Sequence, residues 1–160
     1  LSGANRTGRP FTGDFAGDLL FSILLEAGFA RGEYGKSADD NLELVDCRIT
    51  NAVRCVPPQN KPIAQEKQAC RPFLVHEINA MSSLRVVLAL GGLAHGELLT
   101  AAGEKKSAFK FSHGAKHWLP NGLLLVDSYH CSRYNTNTGR LTNEMFRDVV
   151  FDMKRQLLSL

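Results

Sequence analysis

The sequence has 160 residues, of which 44% are hydrophobic and 22% charged, an ordinary globular composition that excludes a disordered or collagen-like chain. Basic residues number 19 and acidic residues 16, and the net charge of +3 is compatible with a nucleic-acid partner without requiring one. Because no run of about 18 apolar residues and no secretory leader is seen, the sequence predicts no membrane span and favours the cytoplasm. We expect one domain over residues 1–160.

Helices and strands are predicted to alternate along the chain. Apolar residues at helical spacing predict helices over residues 15–27, 64–81, 92–101 and 142–158. Apolar runs predict strands over residues 47–53, 84–90 and 123–126. This order is typical of an α/β fold, and we expect a three-layer α/β/α arrangement with a short parallel sheet. The side chains of the second helix that we expect to face inward are Cys70, Phe73, Leu74 and Ile78.

The chain opens on a glycine-rich loop, Gly3–Asp14, with no strand before it and with Leu rather than Met at residue 1. In α/β sheets such a loop follows the carboxyl end of a strand, so we expect the first strand to be missing. Glycines with Arg6 and Arg9 favour a phosphate-binding loop, although no Gly-Lys-Ser/Thr of a Walker A motif follows. A tight glycine turn with solvated arginines remains an equal alternative.

His130 follows the last predicted strand and opens a polar segment. A histidine at the carboxyl end of a strand is well placed to donate a hydrogen bond to a ligand oxygen. A surface histidine without a ligand is the common alternative.

The cysteines are Cys47, Cys55, Cys70 and Cys131, and none forms the C-x-x-C pair of a zinc ribbon or thioredoxin site. Cys55 and Cys70 flank a proline-rich segment and could ligate zinc or an iron–sulfur cluster, but two ligands complete neither site. Buried, inert thiols remain the alternative for all of them.

Together, several segments occur in an order that resembles the uracil-DNA glycosylase superfamily, specifically its type-5, iron–sulfur group. The resemblance covers nearly the whole chain. Its segments are Gly3–Asp14, Ile49–Pro62, Cys70–Pro72, Val87–Gly91, Phe111–Gly114 and Ser128–Thr136. It implies a four-stranded parallel sheet between helices, and an enzyme that hydrolyses the N-glycosidic bond of uracil, or another deaminated base, flipped out of DNA.

The same resemblance assigns roles around the flipped base. Phe11 would stack on the base and Asn51 would bind its Watson–Crick edge. His130 would donate a hydrogen bond to uracil O2, as the catalytic residue that stabilises the departing anion. Asn5 is the candidate for orienting the attacking water.

DNA contacts are also implied by position. Arg6 and Arg9 would lie near phosphates. Ser132, Arg133 and Asn135 would belong to a loop that wedges into the duplex where the base has left. The expected partner is uracil-containing DNA, double- or single-stranded, bound by a monomer.

The resemblance further implies a [4Fe–4S] cluster, with Cys55 and Cys70 as two of its ligands. The N-terminal cysteine pair of the group is absent from this sequence, and Cys131 stands where the group usually has proline. These departures leave a second hypothesis open, a catalytically inactive remnant that still binds DNA.

Overall fold

The computed structural model describes residues 8–54, 59 and 61–160. The chain divides into two compact units, Leu1–Thr50 with His130–Arg155 and Asn51–Tyr129 with Gln156–Leu160. The single domain expected from the sequence stays a prediction. Among the residues described, no helix combines the length and the apolar character needed to cross a bilayer.

The first unit is built around helix α1, Phe15–Ala27. Its amino end is capped by Asp14, whose carboxylate accepts a hydrogen bond from the Gly17 N–H at 3.0 Å. Its carboxyl end stops at Gly28, where φ of 82° places the backbone in the left-handed region. The predicted bounds of this helix are therefore confirmed.

The rest of the first unit comprises β1 (Ala30–Arg31), β2 (Glu43–Leu44), α4 (Arg133–Asn137) and most of α5 (Asn143–Leu158). Strands β1 and β2 pair antiparallel and are too short to leave a period-two pattern, so the sequence did not predict them. The predicted cap of α5 is confirmed, since the Thr142 hydroxyl accepts the Met145 N–H at 3.1 Å. The unit buries apolar side chains of α1 and α5, among them Leu20, Phe21, Leu24, Phe146 and Val150.

The predicted strand over residues 47–53 is wrong, because the backbone of these residues carries no strand. A strand is defined by the partner to which its amides and carbonyls bond, and no described strand pairs with this segment. Val53 is nevertheless buried. The apolar composition of this segment therefore reflects the burial of Val53 and not pairing with a neighbouring strand.

The second unit contains α2 (Ala64–Ala80), β3 (Val86–Leu90), α3 (Gly92–Ala101), β4 (Lys116–Trp118) and β5 (Leu124–Ser128). Strands β3 and β5 are parallel, with Val86 opposite Leu124 and Leu90 opposite Ser128. One cluster of buried apolar side chains joins α3 to the sheet, namely Ala89, Leu98, Leu99, Leu119, Leu123 and Leu125. The predicted α/β class, both of these strands and both helices are confirmed.

The expected all-parallel sheet needs one correction. The sheet order is β3–β5–β4, and β4 runs antiparallel to β5. Only five residues, 119–123, separate β4 from β5, whereas a parallel crossover needs a dozen or more. A turn closed by the Leu119 N–H to the Leu123 carbonyl, at 2.9 Å, makes the connection a hairpin.

Helix α2 departs from expectation in part. None of its described side chains is fully buried, but Ile78 packs against the buried apolar cluster as expected, whereas Phe73, also expected to face inward, is 53% exposed. The guanidinium of Arg54 lies 4.9 Å from the centre of the Phe73 ring. A cation–π contact at the surface therefore takes the place of core packing for this aromatic side chain.

Candidate active site

The loop before α1 holds Phe11 in an unusual backbone conformation. Its φ is 60°, in the left-handed region that bulky residues rarely adopt. The Phe11 carbonyl approaches α1 so closely that a Cβ on Gly17 would lie 1.6 Å from its oxygen. The Tyr34 hydroxyl bonds both to this carbonyl, at 3.4 Å, and to the Gly13 N–H, at 3.2 Å. The conformation of Phe11 is thus fixed by its surroundings.

Arg9, predicted to lie near DNA phosphates, is held within the same loop. Its guanidinium forms a bidentate pair with Asp40, both N–H···O distances being 2.8 Å, and its Nε donates to Thr12 Oγ1 at 2.6 Å. The group also lies 5.3 Å from the centre of the Phe21 ring. These contacts give Arg9 a structural role, and its contact with DNA stays a prediction.

The Asp40 carboxylate accepts several hydrogen bonds. Besides Arg9, its carboxylate accepts the Gly35 N–H at 2.8 Å and the Leu42 N–H at 3.1 Å. The hydrogen bonds from Arg9 hold the pKa of this carboxyl well below its usual range, against the opposing effect of burial. Asp40 in its charged form is therefore the group that joins the loop before α1 to residues 35–42.

We expect Asp40→Asn to lower the free energy of unfolding by about 2 kcal/mol at pH 7, because it removes a charge-assisted bidentate pair. The folded pKa lies below the unfolded value of about 4, so the pair stabilises the fold above that pH and its contribution is lost as pH falls. Urea unfolding at pH 7 and at pH 3 measures both effects.

The matched control is Asp39→Asn, at the exposed neighbouring residue. It should change stability by less than about 0.5 kcal/mol at either pH. If Asp40→Asn lowered the free energy of unfolding as much at pH 3 as at pH 7, the result would contradict a stabilising charged pair.

His130 lies beside Phe11. Their ring centroids are 5.9 Å apart and the ring planes make an angle of 31°. Burial lowers the pKa of His130, and the nearby charge of Asp14 opposes that effect. The imidazole is therefore neutral at pH 7, with a proton on one ring nitrogen that it can donate.

The segment after His130 is a capped helical turn, α4, where the sequence predicted a loop. The Ser132 hydroxyl caps it by accepting the Asn135 N–H at 3.3 Å. The Asn135 amide then donates to the His130 carbonyl at 2.8 Å. Arg133 places its guanidinium 5.2 Å from the centre of the Phe15 ring. Ser132 and Asn135 thus hold the backbone at His130, whatever contacts they make with DNA.

For the other predicted site residues, the roles assigned from the sequence stay predictions. Asn51 is half-buried at the start of the second unit, so its role at the base stays a prediction. Asn5, Arg6 and Cys55 fall outside the described residues. In the second unit, the Tyr129 N–H donates to His113 Nδ1 at 3.1 Å, and the two rings stack at 4.9 Å.

Comparison with known proteins supplies the family. The model of the uracil DNA glycosylase superfamily matches residues 2–154. A type-5 uracil-DNA glycosylase of Thermus thermophilus is 48% identical over 153 residues, covering 96% of this chain and 69% of that protein. The chain belongs to the uracil-DNA glycosylase superfamily. The resemblance predicted from the sequence is therefore confirmed.

Other members of the superfamily show to which of its types the chain is more similar. A type-5 enzyme of Mycobacterium tuberculosis is 41% identical over 155 residues, and a type-4 enzyme of Thermotoga maritima is 32% identical over 152. The similarity is thus higher to the type-5 relatives. The chain spans 58% of the mycobacterial protein, somewhat more than half of its length.

The iron–sulfur cluster implied for type-5 members can be tested against the cysteines. Cys70 is half-buried and its sulfur accepts the Arg54 N–H at 3.5 Å, an arrangement suited to a thiolate ligand. Burial raises the pKa of Cys47 to about 11 and that of Cys131 to about 12. The Cys47 S–H donates to the Phe29 carbonyl at 3.6 Å, and Cys131 is fully buried. Among the described cysteines, Cys70 therefore fits a cluster ligand best.

Two residues that shape this superfamily site, Gly17 and Asp40, were not singled out from the sequence. Gly17 breaks the helical pattern of α1, and that was the available signal for a close backbone approach. Asp40 gave no signal, because its partner Arg9 is 31 residues away. Tyr134, which is 72% exposed in α4, lies within the segment 132–135 that the resemblance assigns to the wedge.

Proposed function

We propose that this protein excises uracil from DNA by hydrolysing its N-glycosidic bond. The observation that supports the proposal best is the pairing of Phe11 with the neutral His130, two side chains from distant segments whose ring centroids are 5.9 Å apart. An aromatic face and a neutral N–H donor are what a flipped pyrimidine and its developing negative charge require. The names of the relatives agree with this substrate.

In the proposed reaction, the C1′–N1 bond breaks and its electron pair leaves with uracil, whose O2 takes much of the charge. The His130 N–H donates a hydrogen bond to that oxygen, and the loss of one such donor typically costs about 3–4 kcal/mol of barrier. Phe11 stacks on the base. Asn51 offers an amide donor and an acceptor to its edge, as the pyrimidine ring demands.

The oxygen of water then bonds to C1′ and loses a proton to solvent, and the uracil anion takes up a proton at N1. Asn5 is the proposed residue for orienting that water. No step passes through a metal cluster. Cys55 and Cys70 remain the proposed cluster ligands, and a four-thiolate site would need two further thiolates.

The DNA is proposed to lie against α4 and the loop before α1. Arg133 and Tyr134 are exposed there, and an exposed aromatic side chain can stack on the bases that flank the vacated position. Ser132 and Asn135 are proposed to contact the strand while they hold the His130 backbone. Arg6 is the proposed phosphate contact, with Arg9 beside it. Either duplex or single-stranded DNA supplies a flipped base, and we propose a monomer acting on cytoplasmic DNA.

The test uses a duplex oligonucleotide with a single G·U pair. After incubation with the protein, hot alkali should cleave the strand at the abasic site, and a matched G·C duplex should stay intact. Salt-dependent binding to both duplexes without any cleavage would favour the inactive DNA-binding remnant. A cooperative thermal transition, recorded on the same sample, ensures that the protein tested is folded.

A further inference from the structure

Three metal-ligating side chains meet inside the second unit, apart from the residues assigned to uracil excision. They are His95 on α3, His117 on β4 and Asp127 on β5, and their ligand atoms all lie within 4.8 Å of one another. His95 and Asp127 are buried, at 4% and 0% exposure, while the His117 side chain is 14% exposed. The cluster is thus largely buried, with His117 as its most exposed member.

Both ring nitrogens of His95 face a hydrogen-bond acceptor. Its Nε2 lies 2.9 Å from the Phe109 carbonyl, which can only accept, so the proton of a neutral ring resides on Nε2. Its Nδ1 then presents a lone pair to Asp127 Oδ1, 2.8 Å away. Two facing lone pairs repel each other, and either a proton shared by the two atoms or a metal ion bound to both of them removes that repulsion.

The remaining contacts match those around a bound metal. Metal-ligating histidines usually donate their second N–H to a carbonyl or carboxylate, as His95 does to Phe109. His117 Nε2 lies 3.0 Å from Asp127 Oδ2, and the Ser112 N–H approaches the same oxygen at 3.4 Å. Among the described ion pairs of Asp127, both partners are histidines and neither is lysine or arginine. A buried carboxylate with such partners is stabilised by a divalent cation.

We propose that His95 Nδ1, His117 Nε2 and the Asp127 carboxylate bind one divalent transition-metal ion of the zinc type. Two imidazoles and one carboxylate suit Zn²⁺ or Co²⁺ better than Mg²⁺ or Ca²⁺, which prefer oxygen ligands. Three protein ligands leave a fourth position for water. The ion would join α3, β4 and β5, a structural role independent of uracil excision.

The first measurement is calorimetric titration of the metal-free protein with Zn²⁺ at pH 7.5. We expect one ion per chain, with the melting temperature rising by about 5–10 °C at a hundredfold excess over Kd. His117→Ala, which removes the most exposed ligand and so disturbs the core least, should weaken binding by about a hundredfold or more. The control is His76→Ala, at an exposed histidine of α2, which should bind as the unchanged protein does.

The second measurement excludes the cysteines as the site. Co²⁺ bound to two imidazoles and a carboxylate shows visible d–d bands without thiolate-to-cobalt charge transfer in the near ultraviolet. Such charge transfer would place the ion at a cysteine and overturn the proposal. So would the absence of saturable binding below about 0.1 mM, which shows that no ion binds, or binding unchanged in His117→Ala, which shows that the ion binds elsewhere.

Discussion

Replacing His130 by alanine is expected to slow uracil excision by about 10²–10³-fold while changing DNA affinity by less than about threefold. In the role proposed for it, the imidazole contributes mainly when negative charge develops on uracil O2, and DNA in the ground state carries no such charge. Burial lowers the pKa of His130, so its N–H acts from a neutral ring at pH 7. The chemical step should therefore carry nearly the whole loss.

Single-turnover excision from the G·U duplex gives the rate, and fluorescence anisotropy with a non-cleavable duplex gives the affinity. His76→Ala serves as the matched histidine control and should behave as the unchanged protein. Equal losses of rate and affinity in His130→Ala would contradict the assigned role, because they would make His130 a DNA contact rather than a stabiliser of the leaving group.

The parts that sequence reasoning predicted were those with strong local signals. Helix α1 has a capping aspartate, apolar residues at helical spacing and a terminal glycine, and both of its ends were predicted correctly. His130 stood out because it follows a continuous apolar strand, which the structure has as β5. Its proximity to Phe11 came from the family resemblance, since no periodicity relates residues so far apart in the chain.

The parts that failed depended on contacts between distant residues. The β4–β5 hairpin was missed although Asn-Gly, at residues 121 and 122, is a strong hairpin signal, because β4 spans only three residues. The segment 47–53 was predicted as a strand on composition, which cannot report whether a partner strand is present. Phe73 was placed inside because helical spacing cannot distinguish core packing from stacking under Arg54.

A second large effect is expected at Gly17, in the interior of α1. Alanine in a helix is normally favoured over glycine by about 1 kcal/mol. Here its Cβ would lie 1.6 Å from the Phe11 carbonyl oxygen and 2.8 Å from the Tyr34 hydroxyl. The backbone oxygen cannot yield as a flexible side chain would, so the loop must move away from the helix. We therefore expect Gly17→Ala to destabilise the fold by about 2–3 kcal/mol, opposite in sign to the helix propensity.

The rate of uracil excision by Gly17→Ala should also fall, by about tenfold or more. The displaced loop would carry Phe11 away from its position 5.9 Å from the His130 ring. The control is Gly92→Ala at the start of α3, where a new Cβ would meet only the Phe111 ring, at 3.8 Å. That variant should keep its activity and the stability of the unchanged protein or gain slightly. Urea unfolding and single-turnover excision on both variants separate the outcomes. Should Gly17→Ala be as stable and active as Gly92→Ala, the close approach of the Phe11 carbonyl to α1 cannot be what fixes the position of the aromatic ring beside His130.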